Sequence, residues 1–126
     1  MPAPTTMTRM QVGLVAEGTF VVTAAMAPGH LPIVVVSTPS MIDEVEHVCA
    51  GLAALHLDDG ETTVGTHVCM SHRGAAYEGE TVTVKVSVSA IDGRRITFDE
   101  EVLSPRGSIS TGTHERTVIR QDRYKS

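Results

Sequence analysis

The stretch Ser37–Gly60, STPSMIDEVEHVCAGLAALHLDDG, reads as one long helix in a chain whose other segments read as strands, and that contrast decides the fold. Met41, Val45, Val48, Leu52 and Leu55 recur at helical spacing and form an apolar stripe. Thr38 followed by Pro39 matches an N-cap with proline at the first helical position, and Asp43 and Glu44 lie near the end where the helix dipole favours anions. Asp58, Asp59 and Gly60 stop the helix after about His56. Its second half, CAGLAAL, is rich in Ala and Gly, so a sheet wrapped around it could approach closely on more than one side. The adjacent stripe, Ile42, Glu46, Cys49 and Ala53, is apolar except at Glu46. A carboxylate there costs on the order of several kcal/mol unless it is paired, hydrogen-bonded or neutralised. Either Glu46 sits at a rim bonded to an amide or an arginine, or it is a partly buried carboxylate held ready as base or nucleophile.

Outward from the helix, LVAEGTFVVTAAM (14–26) reads as a first strand ended by a turn at Pro28 and Gly29. LPIVVVS (31–37), broken by Pro32, reads as a brief strand or an extended lead into the helix. After Gly60, TTVGTHVCMSHRG (62–74) is a strand. TVTVKVSVSAI (81–91) alternates cleanly, with Val82, Val84, Val86 and Val88 on one face. Asp92-Gly93 is a hairpin signal into RRITFDEEVL, and PRGS turns into the last strand, SISTGTHERTVIRQ (108–121). Strand, long helix, then strands joined by tight turns predicts an α+β fold, an antiparallel sheet packed on one central helix. The expected organisation is an N-terminal arm at 1–10, one domain at 11–121 and a short tail at 122–126.

A chain of 126 residues suits one domain with an ordinary core. Aromatic residues are 3% with no Trp, and the formal charge is −5, which argues against base-stacking and phosphate-backbone binding and hence against a nucleic-acid partner. The apolar runs are too short to span a bilayer, and MPAPTTMTRM has no signal-peptide core. A cytoplasmic protein is expected, with Cys49 and Cys69 as free thiols in or near the core.

Thr38 and Glu46 are eight residues apart, close to two turns, so both side chains can look toward one side of the helix. His67, Cys69 and His72 suggest a metal at first sight. On a strand, however, His67 and Cys69 share a face opposite His72, and no fourth ligand is near, so no metal is expected. His72 is either a capping histidine or a general acid/base. Gly65 marks either a bulge or the close approach of a ligand to its N–H. Gly112, His114 and Arg116 share a face, where Arg116 binds a carboxylate or phosphate or pairs on the surface. The GxSxG, GxxxxGK[ST] and GxGxxG motifs do not occur, so serine-hydrolase, P-loop and dinucleotide readings lose their support.

The order of these parts, with GTHERTVI (112–119), MIDEVEHVC (41–49), VGTHVCMSH (64–72) and DGRRITF (92–98), resembles hotdog-fold acyl-CoA thioesterases, in the branch that includes fluoroacetyl-CoA thioesterase. The resemblance spans roughly residues 11–121. It implies a Thr38, Glu46 and His72 catalytic trio, with Gly65 holding the thioester carbonyl by its N–H and Arg116 as a further substrate-site residue. It also implies hydrolysis of an acyl-CoA by Glu46 as nucleophile or general base, no cofactor beyond the coenzyme A of the substrate, and a homodimer that could pair further into a tetramer. A non-catalytic acyl-CoA binding module and an acyl-thioester hydratase or dehydratase are the rival readings. Before the helix, GHLPIVVVSTPS lacks the aromatic lid of the fluoroacetyl-specific enzyme, and Ile33, Val34, Val35 and Val36 suggest an aliphatic pocket mouth for another small or medium acyl group.

Overall fold

The computed structural model describes residues 9–124. Strand β1 (Val15–Val21) is followed by a 3-10 turn at Ala24–Met26 and by helix α1 (Thr38–Ala54). Strands β2 (Glu61–His72), β3 (Thr81–Asp92), β4 (Arg95–Ser104) and β5 (Gly107–Arg120) follow, and a 3-10 turn at Gln121–Tyr124 ends the described chain. All pairings are antiparallel, in the order β1-β3-β4-β5-β2. The two hairpins turn through two residues each, Gly93–Arg94 between Asp92 and Arg95, and Pro105–Arg106 between Ser104 and Gly107. This is the α+β, hotdog arrangement expected, one helix held by one antiparallel sheet.

The core lies between α1 and the sheet. Met41, Val45, Cys49, Leu52 and Ala53 of the helix meet Val82, Val84, Val86 and Val88 of β3 and Ile96, Phe98 and Val102 of β4, all buried. Four alternate valines removed from water contribute about 1.5–3 kcal/mol each before chain entropy is set against them. Leu55 is not part of this stripe. It is the helix C-cap, where the chain turns away, and it is 72% exposed. Gly51 faces open space and Ala54 is exposed, so these two small residues lie away from the sheet, whereas Ala53 is buried against it.

The expected arm is only partly visible, since residues 1–8 lie outside those described. Met10 is buried in the core and the Arg9 guanidinium donates to the Leu57 carbonyl, so the end of that segment is docked. Of the expected tail, residues 125–126 lie outside the description. No helix among the described residues is long and apolar enough to cross a membrane. Cys49 is buried as expected, but Cys69 is exposed, because the β2 register turns it away from the helix.

Candidate active site

The site begins with an irregularity in β2. Gly65 pairs with Arg116 and His67 with Glu115, so Thr66 is an extra residue, a β-bulge where one had been the ordinary explanation for Gly65. Paired residues of a ladder share a face, and side chains alternate with period two. Without the bulge Gly65 and His72, seven apart, would face opposite sides. With it, both face the helix, while His67 and Cys69 face outward opposite Glu115 and Thr113.

Glu46 leans from α1 onto Gly65. A Cβ at position 65 would lie 2.5 Å from Glu46 Oε1, 3.2 Å from His114 Cε1 and 3.4 Å from Arg116 Nη1, so only glycine leaves room for the carboxylate. Behind it, His114 is fully buried on β5, and its Nδ1 lies 2.8 Å from the His67 carbonyl. A carbonyl only accepts, so Nδ1 carries the proton and Nε2 accepts from Arg116 Nη1 at 3.1 Å. Burial foremost lowers the His114 pKa, and the adjacent Arg116 adds to it, against the bond to His67. His114 is therefore a neutral imidazole, and its 3.6 Å approach to Glu46 Oε1 is not an ion pair.

Arg116 is buried rather than paired on the surface. Its Nε donates to Thr63 Oγ1 at 2.8 Å and its Nη2 to the Thr63 carbonyl at 3.1 Å, which leaves Nη1 3.7 Å from Glu46 Oε1. Burial lowers its pKa and Glu46 opposes the shift, but a guanidinium starting so high stays charged at neutral pH. The carboxylate thus faces one fixed cation and stays 35% open to solvent.

Thr38 and His72 form a second pair, Oγ1 to Nδ1 at 2.8 Å. Thr38 was expected to cap the helix. Ser37 does so instead, its hydroxyl accepting from the Ser40 N–H at 3.2 Å, and this frees the Thr38 side chain for His72. Thr38 and Glu46 are separated by about 12 Å along the helix at 1.5 Å per residue, so one chain presents two clusters. In it, Glu46 meets Gly65, His114 and Arg116, and Thr38 meets His72.

Of the expected aliphatic mouth, Ile33 is exposed and Val34 and Val35 are half-buried, but Val36 is buried in the core, its N–H donating to the Ala76 carbonyl at 2.9 Å. A bridge between Val35 and Tyr77 ties this segment to the loop after β2. That loop is clamped by Arg106, which donates twice to Glu80 at 2.7 Å and lies 4.8 Å over the Tyr77 ring. Arg106 holds the Glu80 carboxyl down at about 2.

His114 and Thr63 were not among the expected site residues. The only signal for His114 was its place two positions from Arg116 on one face, and for Thr63 its place two positions before Gly65.

The sequence profile of the fluoroacetyl-CoA-specific thioesterases matches residues 9–122. Fluoroacetyl-CoA thioesterase from Streptantibioticus cattleyicolor is 33% identical over 92 residues, which span 73% of this chain and 66% of that enzyme, just under two thirds of its length. A solved structure of fluoroacetyl-CoA thioesterase superposes with a TM-score of 0.86 at 30% identity, covering 91% of this chain and 92% of that one. A variant of it with fluoroacetate and CoA bound gives 0.87 at 29%, covering 92% and 100%. A hot-dog-like protein from Thermanaerovibrio acidaminovorans gives 0.82 at 21% identity, covering 91% and 93%, a likeness of fold alone. The chain belongs to the fluoroacetyl-CoA-specific thioesterase family of hotdog proteins.

Proposed function

We propose that the protein hydrolyses a thioester of coenzyme A carrying a small or medium acyl group, with Glu46, Thr38 and His72 as its catalytic residues. The observation that carries this reading is the Glu46 carboxylate held against a strand position that has no side chain. A thioester carbonyl seated on the Gly65 N–H places its carbon beside that carboxylate. Glu46 then attacks the carbon itself, giving an anhydride that water opens, or deprotonates the water that attacks. In both routes the C–S bond breaks, the thiolate takes a proton, and the acyl group leaves as the free acid. Arg116, fixed by Thr63 and His114, orients Glu46, and its donors are directed to these groups rather than to the substrate. His72, bonded to Thr38, carries protons to and from the leaving thiolate. The route needs no cofactor beyond the coenzyme A of the substrate.

The active unit of this proposal is a homodimer. β2 is an edge strand, and its run from Gly65 to Cys69 is exposed throughout. Antiparallel pairing of two such strands about the midpoint of Val68 and Cys69 sets Gly65 of one copy opposite His72 of the other, so that each Glu46 works with the Thr38–His72 pair of its partner. The two free cysteines support a reducing, cytoplasmic setting. The exposed Leu31 and Ile33 in the segment that leads into α1 favour an aliphatic acyl group over fluoroacetyl.

Thiol release from a panel of short, branched, aromatic and fluorinated acyl-CoA substrates tests the reading. The wild type is expected to turn over the aliphatic members best, and Glu46→Gln to lose at least about 100-fold while still folding. No thiol from any substrate would leave a binding module as the better account, and a change in double bonds of the acyl group would mark a hydratase.

A further inference from the structure

Glu100 is a second carboxylate turned toward the helix, and the proposed reaction does not use it. It is 5% exposed, on the inner face of β4 between Phe98 and Val102, both of which are fully buried. The hydroxyl of Ser110, itself fully buried on β5, lies 2.9 Å and 3.2 Å from its two oxygens. Ser110 pairs with Val102 on one side and with His72 on the other. Ser110 and His72 thus share the helix-facing side as direct cross-strand neighbours, with Cβ atoms about 5 Å apart. His72 in turn bonds Thr38. Glu100, Ser110, His72 and Thr38 therefore form one polar row across the inner face, from β4 to the first turn of α1.

A serine hydroxyl carries one proton and two lone pairs. When Glu100 is ionised, Ser110 must donate to it and turns a lone pair toward His72. When Glu100 is protonated, its own O–H can donate to Ser110 Oγ, and the serine proton is free to point at His72. The groups around Glu100 leave this choice to it. Burial raises its pKa, the Ser110 bond opposes the rise, Glu101 on its own strand adds to it, and Arg73 after β2 lowers it. From α1 comes Cys49, whose thiol burial pushes up to about 12, so it stays uncharged. From β3 comes Val86, paired with Glu100, and from β5 Gly112, neither of them titratable.

We infer that Glu100 is a positioning residue for His72, acting through the Ser110 hydroxyl, so that the charge state of the buried carboxyl sets the orientation and basicity of the imidazole. This rests on the reading of His72 as the proton-carrying group, but its test reads the imidazole directly. The titration of the His72 ring would be followed by proton NMR in the wild type, Glu100→Gln and Ser110→Ala, assigned against His72→Gln, beside the pH profile of thiol release. A negative charge two strands across and two residues along the ladder, about 12 Å away, shifts a histidine midpoint by roughly one pH unit at an effective dielectric of about 20. Glu100→Gln should lower the His72 midpoint by that much and move the pH profile with it. Ser110→Ala should lower it in the same direction, and carries the test if the glutamine variant does not fold. Folded variants whose His72 titrates as in the wild type would overturn the inference. A midpoint that shifts in a protein releasing no thiol would uphold the Glu100–His72 coupling and remove only the catalytic reading.

Discussion

Two inactive variants should restore each other if the two clusters meet across a two-fold axis. In Glu46→Gln the Thr38–His72 pair is intact, and in His72→Gln the cluster of Glu46, Gly65, His114 and Arg116 is intact. Within one chain these clusters stand about 12 Å apart along α1, too far for one thioester carbon to touch both. Antiparallel pairing of two β2 edges, as proposed, would bring Glu46 of one copy to the His72 of the other. A dimer with one chain of each variant then holds one site with both substitutions and one with neither, so it should work at about half the wild-type rate. Random exchange makes about half the dimers mixed, and the exchanged population should reach about a quarter of the wild-type rate. The two variants, carrying different tags, would be co-expressed and the mixed dimer isolated by sequential capture. Its thiol release would be compared with that of each parent on the best substrate of the panel. A mixed dimer no more active than its parents would refute the reasoning and return the whole site to one chain. A solution mass of a single chain would refute it sooner.

Two further expectations concern the scaffold. A Cβ on Gly112 would lie 2.2 Å from the Cys69 carbonyl oxygen and 2.7 Å from Met70 Cα, both backbone atoms of the adjoining strand, so Gly112→Ala must push β5 from β2. It should cost about 2–4 kcal/mol in urea denaturation, and a loss below about 0.5 kcal/mol would show that the ladder yields freely. Of the two cysteines only Cys69 is exposed, and burial holds the Cys49 thiol near 12, so an aromatic disulfide reagent should titrate one thiol per native chain and both after unfolding. Rapid reaction of both in the native protein would contradict the packing of Cys49.

The sequence made the fold legible because its signals were local and redundant. The alternation from Val82 to Val88, the turn at Asp92-Gly93 and the apolar spacing from Met41 to Leu52 each dictate an element without reference to the rest. Glu46 was legible for the opposite reason, as the single charged position in a stripe that otherwise buries itself. What could not be read was whatever a long-range partner decides. Thr38 looks like a helix cap because its neighbour Ser37 serves equally well, and only His72, 34 residues away, distinguishes them. Val36 looks like the rest of its run until Ala76 takes its N–H. Glu100 reads as one of three acidic residues in a row, and its burial follows from the register that sets it beside Phe98 and Val102.

The bulge at Thr66 joins these long-range effects to the chemistry. One added residue reverses the facing of β2, and everything after it changes side. His72 turns in to meet Thr38 and Ser110, while Cys69 turns out to solvent. The same stretch leaves Gly65 to Cys69 exposed on an unpaired edge, where Val68 is 41% open. A strand kept only for stability would bury such a residue and cover such an edge. Here the strand carries a glycine whose side-chain space the Glu46 carboxylate occupies, a bulge that interrupts its ladder and an apolar residue left in water. All three sacrifice stability within the single chain, and all three are accounted for if β2 is where a second copy adds its own strand and completes the site.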